Sequence, residues 1–341
     1  MQSTKRRFIK GVGIALTLAS TLSLTLQPAQ AAEKRSYILA TATTGGTYYP
    51  VGVALATLSK VKLEPKHKIS LSAISSAGSG ENVKLLRENQ AQFAIMMGLY
   101  GAWAKDGSGR LKDSGPQTHL RSVSMLWQNV EHFMVRKDLV SSGTVDDLKA
   151  LKGKKFSIGK RNSGTEGANR HILSGLHIDP EGMNLAYLGY GPSADALQNN
   201  AIVGMNTSAG VPVGAVTRAF AALGDEVSIL DFTDEQLKEA NNGLHLWTPY
   251  TIPANTYPGQ TKAAQTIAQP NFLAVRDDVS EEDVYMLTKA IYENLPFLQG
   301  IHKATKVMSL EKAIAGLPVP LHPGAARYYR EQGIEIPANL M

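Results

Sequence analysis

The sequence predicts an α/β protein of two βα lobes, each a largely parallel sheet flanked by helices, with a ligand cleft between them. Three observations predict it. Short β-rich runs alternate with helical stretches along the chain. A strand, small-residue turn and helix recur as a unit in two successive series. About 310 residues follow the N-terminal segment, a length that favours two domains over one. Sheets of this kind bind ligands outside the carboxyl ends of their strands, where helix N-termini point. Two facing lobes would enclose such a site.

Residues 1–31 have the layout of a cleaved export signal. Met1–Lys10 carries Lys5, Arg6, Arg7 and Lys10 without an acid, Gly11–Leu26 is uncharged, and Ala29-Gln30-Ala31 is a small-x-small cleavage site. A permanent anchor is the weaker reading, because the apolar stretch is short for a bilayer span. Thr4–Lys10 also resembles a twin-arginine signal with Lys5 in the first arginine position, so the Sec and twin-arginine routes both stay open. The mature chain is expected to start near Ala32, outside the cytoplasmic membrane. No later run approaches the ~20 apolar residues of a transmembrane helix, and a soluble mature protein is expected. Four of the six excess positive charges lie in the signal. What remains is near neutral, which removes the argument for a nucleic-acid or membrane surface. The chain has no cysteine, so core packing alone must hold the fold and no lipidated cysteine can tether it.

The first series begins with a strand at Ser36–Ala42, a turn at Thr43–Thr47 and a helix over Tyr48–Lys60, where Pro50 is tolerated in the first turn. Ile69–Ile74 is a second strand, followed by the small-residue turn Ser75–Gly80 and a helix from Glu81 to about Glu88. Phe93–Met97 is a buried strand, Leu120–Leu126 another, and Glu131–Val135 a link leaving the lobe. The second series opens at Thr144-Val145-Asp146-Asp147, which resembles a helix cap. Lys155–Ile158 is a strand, Gly159–Gly164 a turn and Thr165–Leu176 a helix. Leu185–Leu188 is a strand before a helix from about Ser193, and Ile202–Gly204 a short strand ending in Met205–Gly210. Phe272–Val275 returns the chain to the first lobe. Ser280 caps a helix reaching about Asn294, and the rest is helical. Lobe I is thus expected over 32–130 plus 275–341, and lobe II over 131–274.

Three turns place backbone N–H groups at a helix start: Thr44–Thr47, Gly78–Gly80 and Ser163–Thr165. The first N–H groups of a helix lack intrahelical partners, and its dipole adds positive charge there. Glycine allows close approach, while Ser79, Ser163 and Thr165 add hydroxyls. This suits a carboxylate or phosphate, although each turn alone is as well explained by a change of chain direction. Tyr48 and Tyr190 sit at predicted strand ends facing the cleft, where a phenol can donate to a ligand oxygen. The three tryptophans are better read as core or hinge packing.

No phosphate loop, His-Glu-x-x-His or Gly-x-Ser-x-Gly motif occurs. None of the eight histidines has another at i, i+4 spacing. No metal, no cofactor and no catalytic residue is expected, and the chain is read as a non-enzyme.

Several strings resemble the TAXI family, the TRAP-associated extracytoplasmic immunogenic proteins. Ala42–Gly52 is similar to the family's opening motif, Gly80–Arg87 to its second helix start and Ser157–Glu166 to its second-lobe turn. Ile252–Gln260 and Gly316–Tyr329 complete the set in family order. The resemblance implies a periplasmic solute receptor of the type II binding-protein fold, serving a TRAP permease, fused or in separate subunits. It implies a small acidic solute: glutamate or a C4–C5 dicarboxylate such as 2-oxoglutarate or 2-hydroxyglutarate. By position, the binding role is carried onto Thr44, Gly45, Gly46, Thr47, Tyr48, Ser79, Gly80 and Asn82, and in lobe II onto Ser163, Gly164, Thr165, Tyr190, Asn206 and Thr207. A monomer is expected, without nucleic-acid partners.

Three stretches near the expected cleft depart from the family pattern: Met96–Leu99, Lys160–Asn162 and Met205–Thr207. Arg161 could pair with a second ligand carboxylate or lie solvated at the surface. An exported enzyme working in the same cleft and a receptor feeding a sensor are the rival readings.

Overall fold

The computed structural model describes residues 33–341, so the signal-peptide expectation lies outside the described residues. The first series contains β1 (Arg35–Ala40), α1 (Tyr48–Lys62), α2 (Glu64–His67), β2 (Ile69–Ile74), α3 (Ser79–Arg87), β3 (Phe93–Met97) and α4 (Gly98–Asp106). A long strand, β4 (Leu120–Arg136), leads to β5 (Lys155–Ser157), α5 (Gly164–Gly175), β6 (Asn184–Ala186), α6 (Tyr190–Gln198) and β7 (Gly204–Ala209). After α7 (Gly214–Leu223), β8 (Val227–Ile229), α8 (Asp234–Asn241) and β9 (Thr248–Ile252), a second long strand, β10 (Ala264–Arg276), runs back. The chain closes with α9 (Glu281–Glu293), α10 (Leu295–Ile301) and α11 (Pro323–Glu331).

The ends of these helices follow local chemistry. Ser280 accepts from the Asp283 N–H at the start of α9, whose first turn holds Glu281, Glu282 and Asp283 against the positive end of the dipole. Lys60 and Lys62 occupy the last turn of α1, the complementary arrangement. β3 is buried at every position, as a strand covered on both faces must be.

The sheet order is β2-β1-β3-β10-β4-β7-β5-β6, with β8 on β4 and β9 on β10. β1 is parallel to both β2 and β3, and β5 is parallel to both β6 and β7. The two ends of the sheet therefore repeat one design: the first strand is central, the second lies outside and the third inside. Each has its topological switch point beside its first strand, between β1 and β3 and between β5 and β7. That is where open α/β sheets bind ligands.

The antiparallel pair β4 and β10 joins these ends. β4 has 17 residues and reaches about 55 Å at the usual rise per residue. Its N-terminal part pairs with β10, and Val130–Val135 pairs with β7. β10 in turn pairs with β9 through Ala264–Ala268 and with β3 through Asn271–Val275.

Several expected elements change here. Leu120–Leu126 and the link Glu131–Val135 are one strand, because the intervening Trp127–Val130 stays in register with β10. Phe272–Val275 is only the end of β10, whose earlier part carries Thr266, Gln269, Pro270 and Asn271 and so lacks an apolar alternation. Met205–Thr207 lies inside β7, not beyond it. β8 and β9 were not expected, and after α9 the chain forms two more α-helices separated by short 3-10 turns and coil.

Candidate functional site

The turns after β1, β2 and β5 meet at the middle of the sheet. Thr47 precedes α1 but does not cap it; its hydroxyl instead donates to the Gly210 carbonyl at 3.0 Å, beyond the end of β7. Gly78 precedes α3 with φ 121°, a conformation open to glycine and strained for other residues. Glu81, in the first turn of α3, reaches back to accept from the Ala77 N–H at 2.6 Å. Ser163 caps α5 by accepting from the Glu166 N–H at 3.0 Å, and the Glu166 carboxylate accepts from the Asn162 N–H at 2.7 Å. This is a reciprocal capping arrangement. Arg110 and Arg170 stand 3.5 and 3.4 Å from the same carboxylate.

The two ends of the sheet touch directly through these turns. The Glu81 N–H donates to the Asn162 carbonyl at 3.0 Å, and the Tyr100 hydroxyl to the Ser163 carbonyl at 3.3 Å. A Cβ on Gly45 would stand 2.9 Å from the Gly191 nitrogen, and one on Gly46 would stand 3.0 Å from the Tyr190 ring. The glycines permit this closeness.

Between the turns lies a cavity of about 30 Å³, lined by residues from both ends of the sheet. Gly46, Thr47, Tyr48, Ser79, Ser163, Gly164, Thr165 and Tyr190 line it, together with Ala42, Thr43, Ala77, Gly78, Met97, Lys160, Gly189, Ser208 and Ala209. It is continuous, through Thr43, Gly46, Lys160 and Gly189, with an open mouth of about 980 Å³. Thr44 and Gly45 belong to that mouth, with the cations Lys160 and Arg218 and the imidazole of His302. The inner cavity admits a water or two, not a metabolite.

Tyr190 explains the small volume. Its hydroxyl donates to the Ser208 carbonyl at 2.8 Å and pairs with the Thr165 hydroxyl. The phenol thus occupies groups a solute would use. Tyr48 is also committed: its hydroxyl donates to Asn271 Oδ1, and its ring meets Trp127 edge-on at 5.9 Å. Burial pushes both phenols well above the ordinary tyrosine range, so they stay protonated donors. Both phenols expected to face the cleft line the cavity, with their hydroxyls engaged in hydrogen bonds within the protein.

Four expected site residues line neither the cavity nor its mouth. Asn82 is buried within the first series, where its amide donates to the Thr41 and Ile95 carbonyls and accepts from Ser76. Gly80 backs onto the Asn162 carbonyl. Asn206 donates to Glu131 and Asn169 and accepts from the His132 N–H. Thr207 is buried on the opposite face of β7, paired with His132. Because β7 runs on to Ala209, the residues that reach the cavity are Ser208 and Ala209. Asn206 and Ser208 share one face of β7 and Thr207 and Ala209 the other, so the expected pair lies one strand repeat short of the pair that reaches the cavity. Arg161 stacks its guanidinium 3.6 Å over the Tyr187 ring.

Sequence reasoning missed a buried carboxylate. Glu131 on β4 is inaccessible and accepts from Asn206 at 2.8 Å, Ser208 at 2.5 Å and Trp247 Nε1 at 3.2 Å. Burial pushes its carboxyl up, and these hydrogen bonds partly offset that. No signal in the sequence separates it from an ordinary acid in a linker.

Trp103, Trp127 and Trp247 are all buried, as core packing requires.

Among solved structures, the fold is similar to the periplasmic binding protein BugD, with a TM-score of 0.51 and 12% identity over 89% of this chain and 95% of that one. It is similar to a protein of Bordetella bronchiseptica RB50 with a TM-score of 0.52 and 15% identity, over 87% of this chain and 82% of the other. A looser likeness, at a TM-score of 0.45 and 12% identity, is to the alkanesulfonate-binding protein SsuA from Xanthomonas axonopodis pv. citri bound to MOPS, covering 88% and 85% of the two chains. The mixed α/β architecture with two lobes is thus a fold shared with the periplasmic binding protein BugD. The model of the NMT1-like family matches residues 39–333, and the chain belongs to that family.

Proposed function

We propose that the protein is an exported solute-binding receptor of a membrane transporter, holding one small acidic solute between its lobes and presenting it to the permease. The finer reading is a TAXI-type receptor of a TRAP permease, with glutamate or a C4–C5 dicarboxylate such as 2-oxoglutarate or 2-hydroxyglutarate as the solute. The observation that carries it is the meeting of two topological switch points, each delivering a helix start, around one cavity.

The donor count supports an anion. The helix-start N–H groups of the cavity residues Ser79 on α3, and Gly164 and Thr165 on α5, have no intrahelical acceptor. Micromolar affinity requires about −8 kcal/mol, and charge-assisted hydrogen bonds contribute roughly 1.5–3 kcal/mol each before association costs. One turn is too few, so donors from both turns are required. Lys160, at the junction of cavity and mouth, adds a cation to the same path.

Binding also requires Tyr190 to leave its seat between Thr165 and Ser208. A solute that repays those two hydrogen bonds selects a form with the phenol displaced, and closure around it creates the surface the permease recognises. Calorimetric titration with glutamate, 2-oxoglutarate, 2-hydroxyglutarate, an alkanesulfonate and a neutral sugar tests the reading. Affinity for a carboxylate at micromolar concentration is expected. Preference for the neutral sugar refutes it.

A further inference from the structure

Behind the residues that line the cavity, β4 and β10 carry a second group of donors that the turns do not account for. We propose that Trp127 Nε1 and the side-chain amides of Asn129 and Asn271 form an inner wall that receives an oxygen-bearing end of the solute. This rests on the receptor reading and deepens it by naming what the far end of the solute meets.

Register places the three side chains on one face. Trp127 and Asn129 are two apart on β4 and so point the same way. Asn271 pairs with Trp127, and Gln269 pairs with Asn129. The face lies next to the cavity, behind its lining residue Tyr48, which bonds Asn271 and packs its ring against Trp127. Ser208 and Met97, which line the cavity, also bond to its residues: Ser208 to Glu131, and Met97 Sδ to Gln269 Nε2. Gly210 follows Ala209, the partner of Val130, and therefore lies beside Asn129. A Cβ there would stand 2.7 Å from Trp127 Nε1 and 2.6 Å from the Ala304 Cβ, so the indole edge and Ala304 share the space that the missing side chain leaves.

All three residues are at most 1% exposed. Trp127 Nε1, Asn271 Nδ2 and both amide atoms of Asn129 nonetheless have no hydrogen-bond partner among the described residues. Their neighbours on the face are satisfied. Gln269 accepts from the Leu99 N–H at 2.8 Å, and Glu131 is held by Asn206, Ser208 and Trp247. Buried polar groups are almost always paired. Three adjacent donors and one acceptor without partners therefore form a complementary template: oxygen atoms able to accept, beside a single group able to donate. A carboxylate next to a hydroxyl or amino group has that pattern. With helix starts at one end of the cleft and this wall behind its lining, the solute class is one with oxygens at both ends.

The test reads the indole N–H directly. In a nitrogen-labelled sample, the three tryptophan indole resonances are recorded while glutamate, 2-oxoglutarate, taurine or ribose is added, and Trp127→Phe identifies the Trp127 signal. The expected result is a large shift of that signal on binding, with Trp103 and Trp247 moving little. Asn129→Asp, which keeps the shape but replaces a donor with an acceptor, is expected to weaken carboxylate binding about tenfold or more. A carboxylate that binds the wild type without moving the Trp127 signal, and binds Asn129→Asp as tightly, overturns the inner wall and leaves the receptor reading intact. A Trp127 shift with ribose alone overturns the acidic-solute reading and keeps the wall. No shift with any of the four overturns the wall whatever binds.

Discussion

Replacing Gly80 by alanine should separate the two ends of the sheet without harming either. Gly80 lies in the first turn of α3, and a Cβ there would stand 2.5 Å from the Asn162 carbonyl oxygen, on the far side of the cleft. That is roughly 0.8 Å inside ordinary contact, and the obstacle is backbone, not a flexible side chain. Overpacking of this kind costs about 1–3 kcal/mol. Parting the turns also loses the hydrogen bond from the Glu81 N–H to Asn162, worth roughly 0.5–1.5 kcal/mol. The closed arrangement is therefore weakened by about 1.5–4.5 kcal/mol, a shift of roughly tenfold to a thousandfold toward open forms. Within its own helix the alanine is favourable by up to about 1 kcal/mol, so unfolding should not become easier. Small-angle scattering should show a larger radius of gyration for Gly80→Ala, and calorimetry a loss of affinity for the best-binding carboxylate. If both match the wild type while the protein stays folded, contact between these turns plays no part in closure.

Other outcomes follow from single buried groups. His132 is inaccessible; its Nδ1 faces the Val130 and Thr207 carbonyls at 2.9 and 3.1 Å, and its Nε2 faces the Tyr257 hydroxyl at 2.8 Å. Nδ1 must carry the proton and Nε2 must accept, and burial lowers the imidazole to about 4. Its folded value lies below the unfolded 6.5, so its contribution is complete above pH 6.5 and is lost as pH falls through 4, by roughly 3 kcal/mol. The fall in melting temperature between pH 6.5 and 4 should be shallower in His132→Gln, and an unchanged slope would sink the assignment. Gly78→Ala should destabilise by about 1–3 kcal/mol in chemical denaturation, since φ 121° excludes an ordinary side chain; a change under 0.5 kcal/mol contradicts that. Tyr190→Phe removes the hydroxyl that bonds Thr165 and Ser208, and should raise affinity for a carboxylate severalfold by freeing both groups. Lower affinity would mean that the phenol grips the solute instead of standing in its place.

Much of this architecture was legible because local signals agreed with one another. The small-residue turns after β1, β2 and β5 lie where glycines, serines and threonines cluster, and helices follow each of them. Burial on both faces made β3 readable as an apolar run. The central strands were harder. β4 and β10 carry Gln128, Asn129, Glu131, Gln269 and Asn271 in their middles, and no apolar alternation survives such a stretch. Much of that polarity serves buried hydrogen bonds to residues distant in sequence, Glu131 with Asn206, Ser208 and Trp247, Gln269 with Leu99, and Asn271 with Tyr48, and such partners leave no local signal. Misplacing the end of β7 by two residues chose Asn206 and Thr207 over Ser208 and Ala209; each pair presents the same two faces, but only the later pair lies close enough to the carboxyl end of the strand to reach the cavity. The cap at Ser163 is local, three residues from Glu166, and Ser163-x-x-Glu166 has the spacing that signals it. Motif spacing could not reveal that Tyr190 would fill the cavity, because that role depends on Thr165 and Ser208, brought to it from distant turns.

A crystal structure of the protein with its tightest-binding carboxylate tests the central claim most directly. The account predicts the solute enclosed at the junction of the β1–β3 and β5–β7 switch points. One carboxylate should lie within hydrogen-bond distance of the α3 and α5 helix starts, with Tyr190 displaced from Ser208. A solute bound on the outer surface, or touched by only one end of the sheet with Tyr190 still seated, would contradict it.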